Sequence, residues 1–334
     1  MATKKKMLQA AAGNATGGAG LDVEEVFNTY LYEGTEASTQ TITNNIDLSG
    51  EGGLVWVKAR DDGINHVLMD TEQGIGKFLN SNQNYAQQTN SDGMKSFNSN
   101  GFTFGNQTGV GWSNDHVYWT FRKAPKFFTC VTYTGDGTNN RAISHNLGGS
   151  VGTLIIKVTS VSDSWLVWHR DLADGEALTL NTTNSAAGYS SSIPQDPTDA
   201  SFFVSSNVKA NRSGETYVAY LFAHNDGDGG FGPTGNQDII KCGSFTESTS
   251  EQEINLGFEP QWLMIKTSST TSGWRIFDMM RGFDHGGNAT TSNANLEANS
   301  SSAEGGSSPY FKPTPTGFTA PSGFFGNGTD YIYI

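Results

Sequence analysis

Short apolar runs punctuate a mostly polar chain, and one of these runs is written three times. Gly53-Leu54-Val55-Trp56-Val57-Lys58, Thr153-Leu154-Ile155-Ile156-Lys157 and Gln261-Trp262-Leu263-Met264-Ile265-Lys266 each close on a lysine. The lysines stand 99 and 109 residues apart, from Lys58 to Lys157 and from Lys157 to Lys266. Runs this short, rich in β-branched and aromatic residues, predict strands. Self-similarity at such a period predicts a repeat architecture.

Other features keep step with the lysine runs. A leader strand is predicted at residues 29–34, 130–135 and 242–246. After a polar turn come Ile46-Asp47-Leu48, His145-Asn146-Leu147-Gly148 and Ile254-Asn255-Leu256-Gly257. Beyond each lysine run a further strand is predicted: Val67-Leu68-Met69-Asp70, Leu166-Val167-Trp168-His169 and Arg275-Ile276-Phe277-Asp278. Polar stretches rich in Ser, Asn and Thr follow at 80–90, 181–192 and 289–302, then Gly101-Phe102, Phe202-Phe203 and Gly317-Phe318. Closing strands are predicted at Val117-Tyr118-Trp119-Thr120-Phe121, Tyr217-Val218-Ala219-Tyr220-Leu221-Phe222 and Tyr331-Ile332-Tyr333-Ile334. Ile334 aligns with Tyr220, so the pattern leads us to expect further chain in the natural protein.

Turn signals at this spacing predict antiparallel sandwiches. No amphipathic helices separate the strands, which excludes parallel βαβ units. The expected fold is all-β: three tandem antiparallel β-sandwich (jelly-roll-like) modules of six or seven strands, chained head to tail behind a short N-terminal helical arm. The boundaries read as an arm at 1–20 and modules at 21–125, 126–226 and 227–334. Residues 2–12 are helix formers that Thr3 could cap, and residues 13–20 form a glycine-rich spacer. Residues 21–27 predict one more helical turn, capped by Asp22.

Composition agrees with this picture and narrows the partners. The 334 residues include 41 glycines, and aromatics make up 11%, ample for sandwich cores. Charged residues are 16%, against roughly 25% in an average soluble domain. Net charge is −13 and the one basic cluster is Lys4-Lys5-Lys6, which argues against nucleic acid and anionic membrane. No apolar run approaches the roughly 18 residues of a spanning helix, so membrane insertion is not expected. Lys4-Lys5-Lys6 followed by Met7-Leu8-Gln9 imitates a signal peptide only faintly, because the apolar part is short and runs into glycines. Cys130 and Cys242 fall at equivalent repeat positions, which does not favour a mutual disulfide.

Candidate chemistry is sparse. The three lysines read as strand-end side chains that snorkel to solvent. Asp70 and Asp278 align with His169, a change that a catalytic acid or metal ligand would not tolerate. Six scattered histidines and two cysteines lack the spacing of a structural zinc site. Asn225-Asp226-Gly227-Asp228-Gly229-Gly230 resembles a calcium loop, with Asp226 and Asp228 as weak ligand candidates, but the distal glutamate is missing and the stretch reads as a linker. Acid pairs such as Asp70 with Glu72, or Asp171 with Asp174, read as surface turns rather than a glycosidase pair. Nucleophile-elbow, phosphate-loop and dinucleotide motifs are absent, and no cofactor is expected. Trp112, Tyr189, Trp274 and Tyr310, with Phe311, are candidate glycan contacts from loop regions, each weighed against a place in the core.

In combination, three sets of residues resemble a family of tandem-repeat virion proteins of marine bacteriophages. They are Thr132-Tyr133-Thr134-Gly135-Asp136-Gly137-Thr138 running into Ile143-Ser144-His145-Asn146-Leu147-Gly148; Gly214-Glu215-Thr216-Tyr217-Val218-Ala219-Tyr220-Leu221-Phe222-Ala223; and Gly52-Gly53-Leu54-Val55-Trp56-Val57-Lys58 with its counterpart Glu259-Pro260-Gln261-Trp262-Leu263-Met264-Ile265-Lys266. Met1-Ala2-Thr3-Lys4-Lys5-Lys6 and Gly20-Leu21-Asp22-Val23 are similar too. The resemblance implies concanavalin- or laminin-G-like sandwiches in a tail fibre or related appendage on the phage particle, made in the host cytoplasm, and carries over no catalytic residue. The expected function is therefore adhesion and not catalysis. The arm, through Lys4, Lys5, Lys6, Met7 and Leu8, would bind other virion proteins such as a tail adaptor, nozzle or portal-proximal component. The modules would touch a host-surface glycan or protein, several weak sites gaining avidity, in a homo-oligomer for which a trimer is the expected form. A capsid decoration or head fibre protein is one alternative, and a tail-borne glycan depolymerase is another.

Overall fold

The computed structural model describes residues 20–334 apart from 36–37, 108, 112, 190, 284–292, 308–310 and 324. The helical arm expected at 1–20, with Lys4, Lys5, Lys6, Met7 and Leu8, thus lies outside the described residues except for Gly20. The helical turn expected at 21–27 is a single 3-10 turn, Val23–Glu25. Asp22 precedes it, and the Glu25 carboxylate accepts the Asp22 backbone N–H at 3.0 Å, satisfying a donor the turn leaves free. Phe27 belongs to the first strand instead.

The protein is all-β, and each repeat builds the same two sheets. In every module the leader strand pairs with the closing strand, the closing strand with the lysine strand, and the lysine strand with the strand after it, all antiparallel. In module 1 these are Phe27–Tyr32, His116–Arg122, Gly53–Ala59 and Val67–Asp70. In module 2 they are Phe128–Thr134, Thr216–Ala223, Val151–Val158 and Leu166–His169. In module 3 they are Gly243–Thr246, Asp330–Tyr333, Trp262–Thr267 and Arg275–Asp278. Modules 2 and 3 extend this sheet by two short strands, Glu176–Thr179 with Ala187–Gly188 and Asn293–Glu297 with Gly305–Ser307.

A second sheet covers one face of the first. Its central pairing joins Thr39–Thr43 to Gly101–Gly105, Arg141–Ser144 to Ser201–Val204, and Gln252–Asn255 to Gly317–Ala320. This explains the recurring glycine before phenylalanine. A Cβ on Gly101 would lie 2.0 Å from the Ile42 carbonyl oxygen, and one on Gly317 would lie 1.9 Å from that of Ile254. The phenylalanine that follows then drops into the sandwich core: Phe102 and Phe318 are buried, as is Phe202 after Ser201 in module 2.

The lysine strands differ from ordinary sandwich strands in being buried along both faces. In module 1, Val55, Val57 and Tyr118 point into the sandwich core with Phe102 and Phe104. Their neighbours Leu54, Trp56, Val117, Trp119 and Phe121 belong to a different core. Module 3 divides in the same way. Leu263, Ile265, Tyr331 and Tyr333 face its sandwich, whereas Met264, Ile276, Ile332 and Ile334 join the same cluster as Trp56 and Trp119. That cluster also takes in the core of module 2. The three modules thus do not stand apart: the outer faces of the three large sheets meet in one hub. The physical reason is the apolar second face of each sheet, which packing against the sister sheets removes from water.

The hub has quasi-threefold order. Trp56 pairs across the sheet with Trp119, Ile155 with Tyr220, and the backbone of Met264 with that of Ile334, so these pairs are equivalent. Directly before the fourth strand stand His66, Trp165 and Trp274. Each backbone N–H there donates to an asparagine side chain, Asn82, Asn181 and Asn299. Each ring nitrogen reaches a backbone carbonyl of another module, two residues before that asparagine. His66 Nε2 lies 3.0 Å from Glu297 O, Trp165 Nε1 3.0 Å from Asn80 O, and Trp274 Nε1 3.1 Å from Thr179 O. Module 1 thus contacts 3, 2 contacts 1 and 3 contacts 2, which closes a ring.

Candidate functional site

The conspicuous repeated residues turn out to hold the ring together. Asp70, His169 and Asp278 end the fourth strands, and each bonds to the closing strand of another module. Tyr220 OH donates to Asp70 Oδ2 at 2.7 Å, Trp119 Nε1 donates to Asp278 Oδ2 at 2.9 Å, and His169 Nε2 sits 3.1 Å from Tyr333 O. The exchange of acid for histidine is now intelligible, because Asp accepts from a side chain where His meets a backbone carbonyl. Burial pushes the Asp70 carboxyl up and pulls the His169 imidazole down to about 4. At the seam between modules 1 and 3, Arg281 Nε binds Asp278 at 2.6 Å with both side chains fully buried. The guanidinium stacks over Trp119 at 5.3 Å and reaches Glu304, which in turn binds Arg60.

The lysines do not snorkel. Lys58, Lys157 and Lys266 are at most 1% exposed. Each ammonium turns back into the hairpin that follows its strand and donates to backbone carbonyls: Ala59 and Asp62 for Lys58, Val158 for Lys157, Thr267 for Lys266. A polar hairpin passing over a buried surface leaves carbonyls that water cannot reach, and a three-donor ammonium satisfies them. Burial pulls all three amines down to about 8.

The expected glycan contacts are not gathered into one platform among the described residues. Trp112 and Tyr310 lie outside the described residues. Trp274 is 1% exposed and spent on the ring, so it is not a surface contact. Phe311 is buried in the module 3 sandwich. Tyr189 is half-buried, packed on the hub core with its hydroxyl 3.4 Å from Thr179 Oγ1. The weak calcium candidates are engaged within their own loop. Asp226 binds Lys241 at 3.0 Å, Asp228 accepts the Asp226 backbone N–H, and Asp238 takes those of Gly227 and Gly229. Among the described residues no cluster of three or more His, Cys, Asp or Glu could hold a metal. Cys130 and Cys242 are buried free thiols.

A site that the sequence did not announce lies at one end of the hub. A cavity of about 650 Å³ opens where the three modules and the 236–241 linker meet. Phe27 and Phe121 line it from module 1, Phe127 and Phe222 from module 2, and Trp262 and Ile334 from module 3. Its aromatics are in mutual contact, with Phe121 lying 5.4 Å from Phe222 and 5.5 Å from Trp262, both edge-on. Asp238, Lys241 and Glu259 add charge to the lining. Concave, mainly apolar surface with a few polar groups is the usual form of a binding site. The signal in the sequence was the alignment of Phe121 with Phe222 in the closing strands of modules 1 and 2.

A family model described as a domain of unknown function, DUF7483, matches residues 22–334, and the chain belongs to that family. The match runs through all three modules, as the shared core does. No curated protein matches the chain.

Proposed function

We propose, taking membership of this family as the premise, that the protein is a binding component of a phage particle. It would be a tail fibre or tail-associated appendage, held by its N-terminal arm and touching the host surface with its modules. The family's function is unknown, so the reading draws on the resemblance of its repeats to virion proteins and on one structural observation. That observation is the use of the repeated polar residues. Asp70, His169, Asp278 and the three lysines are spent on joining modules and bracing hairpins. What the chain invests its repetition in is one rigid three-module body, suited to holding loops at fixed spacing so that several weak contacts add.

The partners on this reading are a particle protein for the arm and a glycan or protein on the cell surface for the modules. The test is deletion of residues 1–20 in the phage genome. Particles should then lack the protein, while the purified truncated chain keeps its β-rich circular dichroism and its melting transition. Normal incorporation of the truncated chain would refute the role of the arm. Loss of cell binding by particles carrying loop substitutions, with incorporation unchanged, tests the modules.

A further inference from the structure

We propose that module 3 is the part of the ring that acid releases: two neutral histidines fasten it to modules 1 and 2, and their protonation opens both of its seams while the seam between modules 1 and 2 holds. His66 reaches from module 1 to Glu297 O of module 3, and His169 reaches from module 2 to Tyr333 O of module 3. Both rings are at most 1% exposed. His224 of module 2 also meets module 3, with Nδ1 2.7 Å from Cys242 O. His116 and His145 bond within their own modules, to Asn114 O and Thr198 O. Among the described residues, therefore, no histidine hydrogen bond joins module 1 to module 2.

The bonding fixes the tautomer of each ring. Trp56 Nε1 donates to His66 Nδ1 at 2.9 Å, and the Asp171 backbone N–H donates to His169 Nδ1 at 3.2 Å. An indole and a backbone amide can only donate. Each Nδ1 is therefore bare, and each Nε2 carries the proton that faces the carbonyl of module 3. A second proton, on Nδ1, would point at an N–H, so the ring must turn away from its partners to accept it. Burial pulls both imidazoles down, His66 well below its ordinary range and His169 to about 4. Lys58 and Arg281 add repulsion at His66, Arg281 itself being paired with Asp278 and Glu304. Around His169, Arg170 and His224 repel a positive charge and Asp171 attracts it. As pH falls from the ordinary 6.5 towards 4, the released state binds more protons than the docked one, so docking weakens by up to roughly 300-fold through His169 alone. The remaining seam has the opposite sign. It is closed by the Trp165 indole and by Tyr220 on Asp70, and burial raises the Asp70 carboxyl, so acid relieves a buried charge there. Module 3 can leave intact, because its sandwich has a core apart from the hub.

Two native thiols distinguish the seams. Cys242 Sγ is buried 3.5 Å from Thr153 Oγ1 of module 2, so undocking module 3 uncovers it. Cys130 is buried opposite Tyr220, whose hydroxyl binds Asp70 across the seam between modules 1 and 2. The full chain is labelled at pH 7.5, 5.5 and 4.5 with a dipyridyl disulfide, which reacts with thiols in acid, and peptide mapping separates the two cysteines. Each rate is divided by that of the same thiol in the urea-unfolded chain at the same pH. Between pH 7.5 and 4.5 the labelling of Cys242 should accelerate by at least about tenfold, while Cys130 stays protected. The double variant His66→Gln, His169→Gln carries neutral amides in place of the imidazoles and should lose most of this acceleration. Labelling of both cysteines in step would mean global unfolding and overturns the proposal. Continued protection of Cys242 at pH 4.5 also overturns it, as does an acceleration that survives in the double variant.

Discussion

A lysine that is fully buried yet hydrogen-bonded only to carbonyls makes stability depend on alkaline pH. Lys157 is held at about 8 in the folded chain, against an ordinary 10.5. Between those values the unfolded chain binds more protons than the folded one, so the contribution of this residue rises with pH across that window and is least below pH 8. Buried cysteines and tyrosines act in the opposite sense at high pH, since burial raises their folded values. The informative measurement is therefore a difference. Urea midpoints of wild type minus Lys157→Met, taken at pH 7.5, 9 and 10, should move in favour of the wild type as pH rises. A difference that is flat with pH would show that the ammonium is solvated after all. At this scale the sequence was partly legible. The recurrence of a lysine after each apolar run marked three equivalent positions, but snorkelling and carbonyl bracing share one local pattern. What separates them is whether a second sheet covers the strand end, which is a long-range fact.

At the scale of strands and seams, the ring is closed by contacts between elements far apart in the chain. Modules 1 and 2, and 2 and 3, are joined by the backbone, whereas modules 1 and 3 meet only through side chains and a few backbone bonds. The buried Arg281–Asp278 pair with Trp119 lies at that third seam. Asp278→Ala would take from the buried Arg281 guanidinium the nearer of the two carboxylates it binds, leaving Glu304 at 3.2 Å, and should cost up to about 3–5 kcal/mol. Asp278→Asn, which keeps an acceptor for Trp119 Nε1, should cost less, and denaturant midpoints of the two variants check the order. Strand identity was readable from the runs themselves, and so was the recurrence of Gly101-Phe102 and Gly317-Phe318, though not what these segments pair with. The two-sided burial was also written in the chain. Leu54, Val55, Trp56 and Val57 do not alternate with polar residues, and an unbroken run of that length signals a strand covered on both faces. A single sandwich covers one face, so the run already implied a second partner for each sheet.

For the whole molecule, a shared core predicts shared unfolding. Three separate sandwiches would melt as three domains, whereas modules that exchange His66, Trp165 and Trp274 across every seam should melt together. Calorimetry on the full chain should give one transition with equal calorimetric and van't Hoff enthalpies. Residues 126–226 expressed alone should bind hydrophobic dye, because Tyr220, Trp165 and the rest of the outer sheet face lose their cover. Three resolved transitions would contradict the hub. The repeat number was legible at this scale because equivalent residues recur in order. The closure of the repeats on one another was not, since nothing local distinguishes a sheet face turned to solvent from one turned to a sister module except its apolarity.

Equivalent seams carry a historical implication. Where the His66, Trp165 and Trp274 contacts repeat around a ring, each module presents the same donor surface and the same acceptor surface, displaced by one place. Such a surface is self-complementary in the head-to-tail sense, and three identical polypeptides bearing it would close without any linker. Tandem duplication followed by gene fusion is the economical route from that ancestor to this chain. In a fused chain each copy can change alone, and His169 stands where the other two modules carry Asp70 and Asp278.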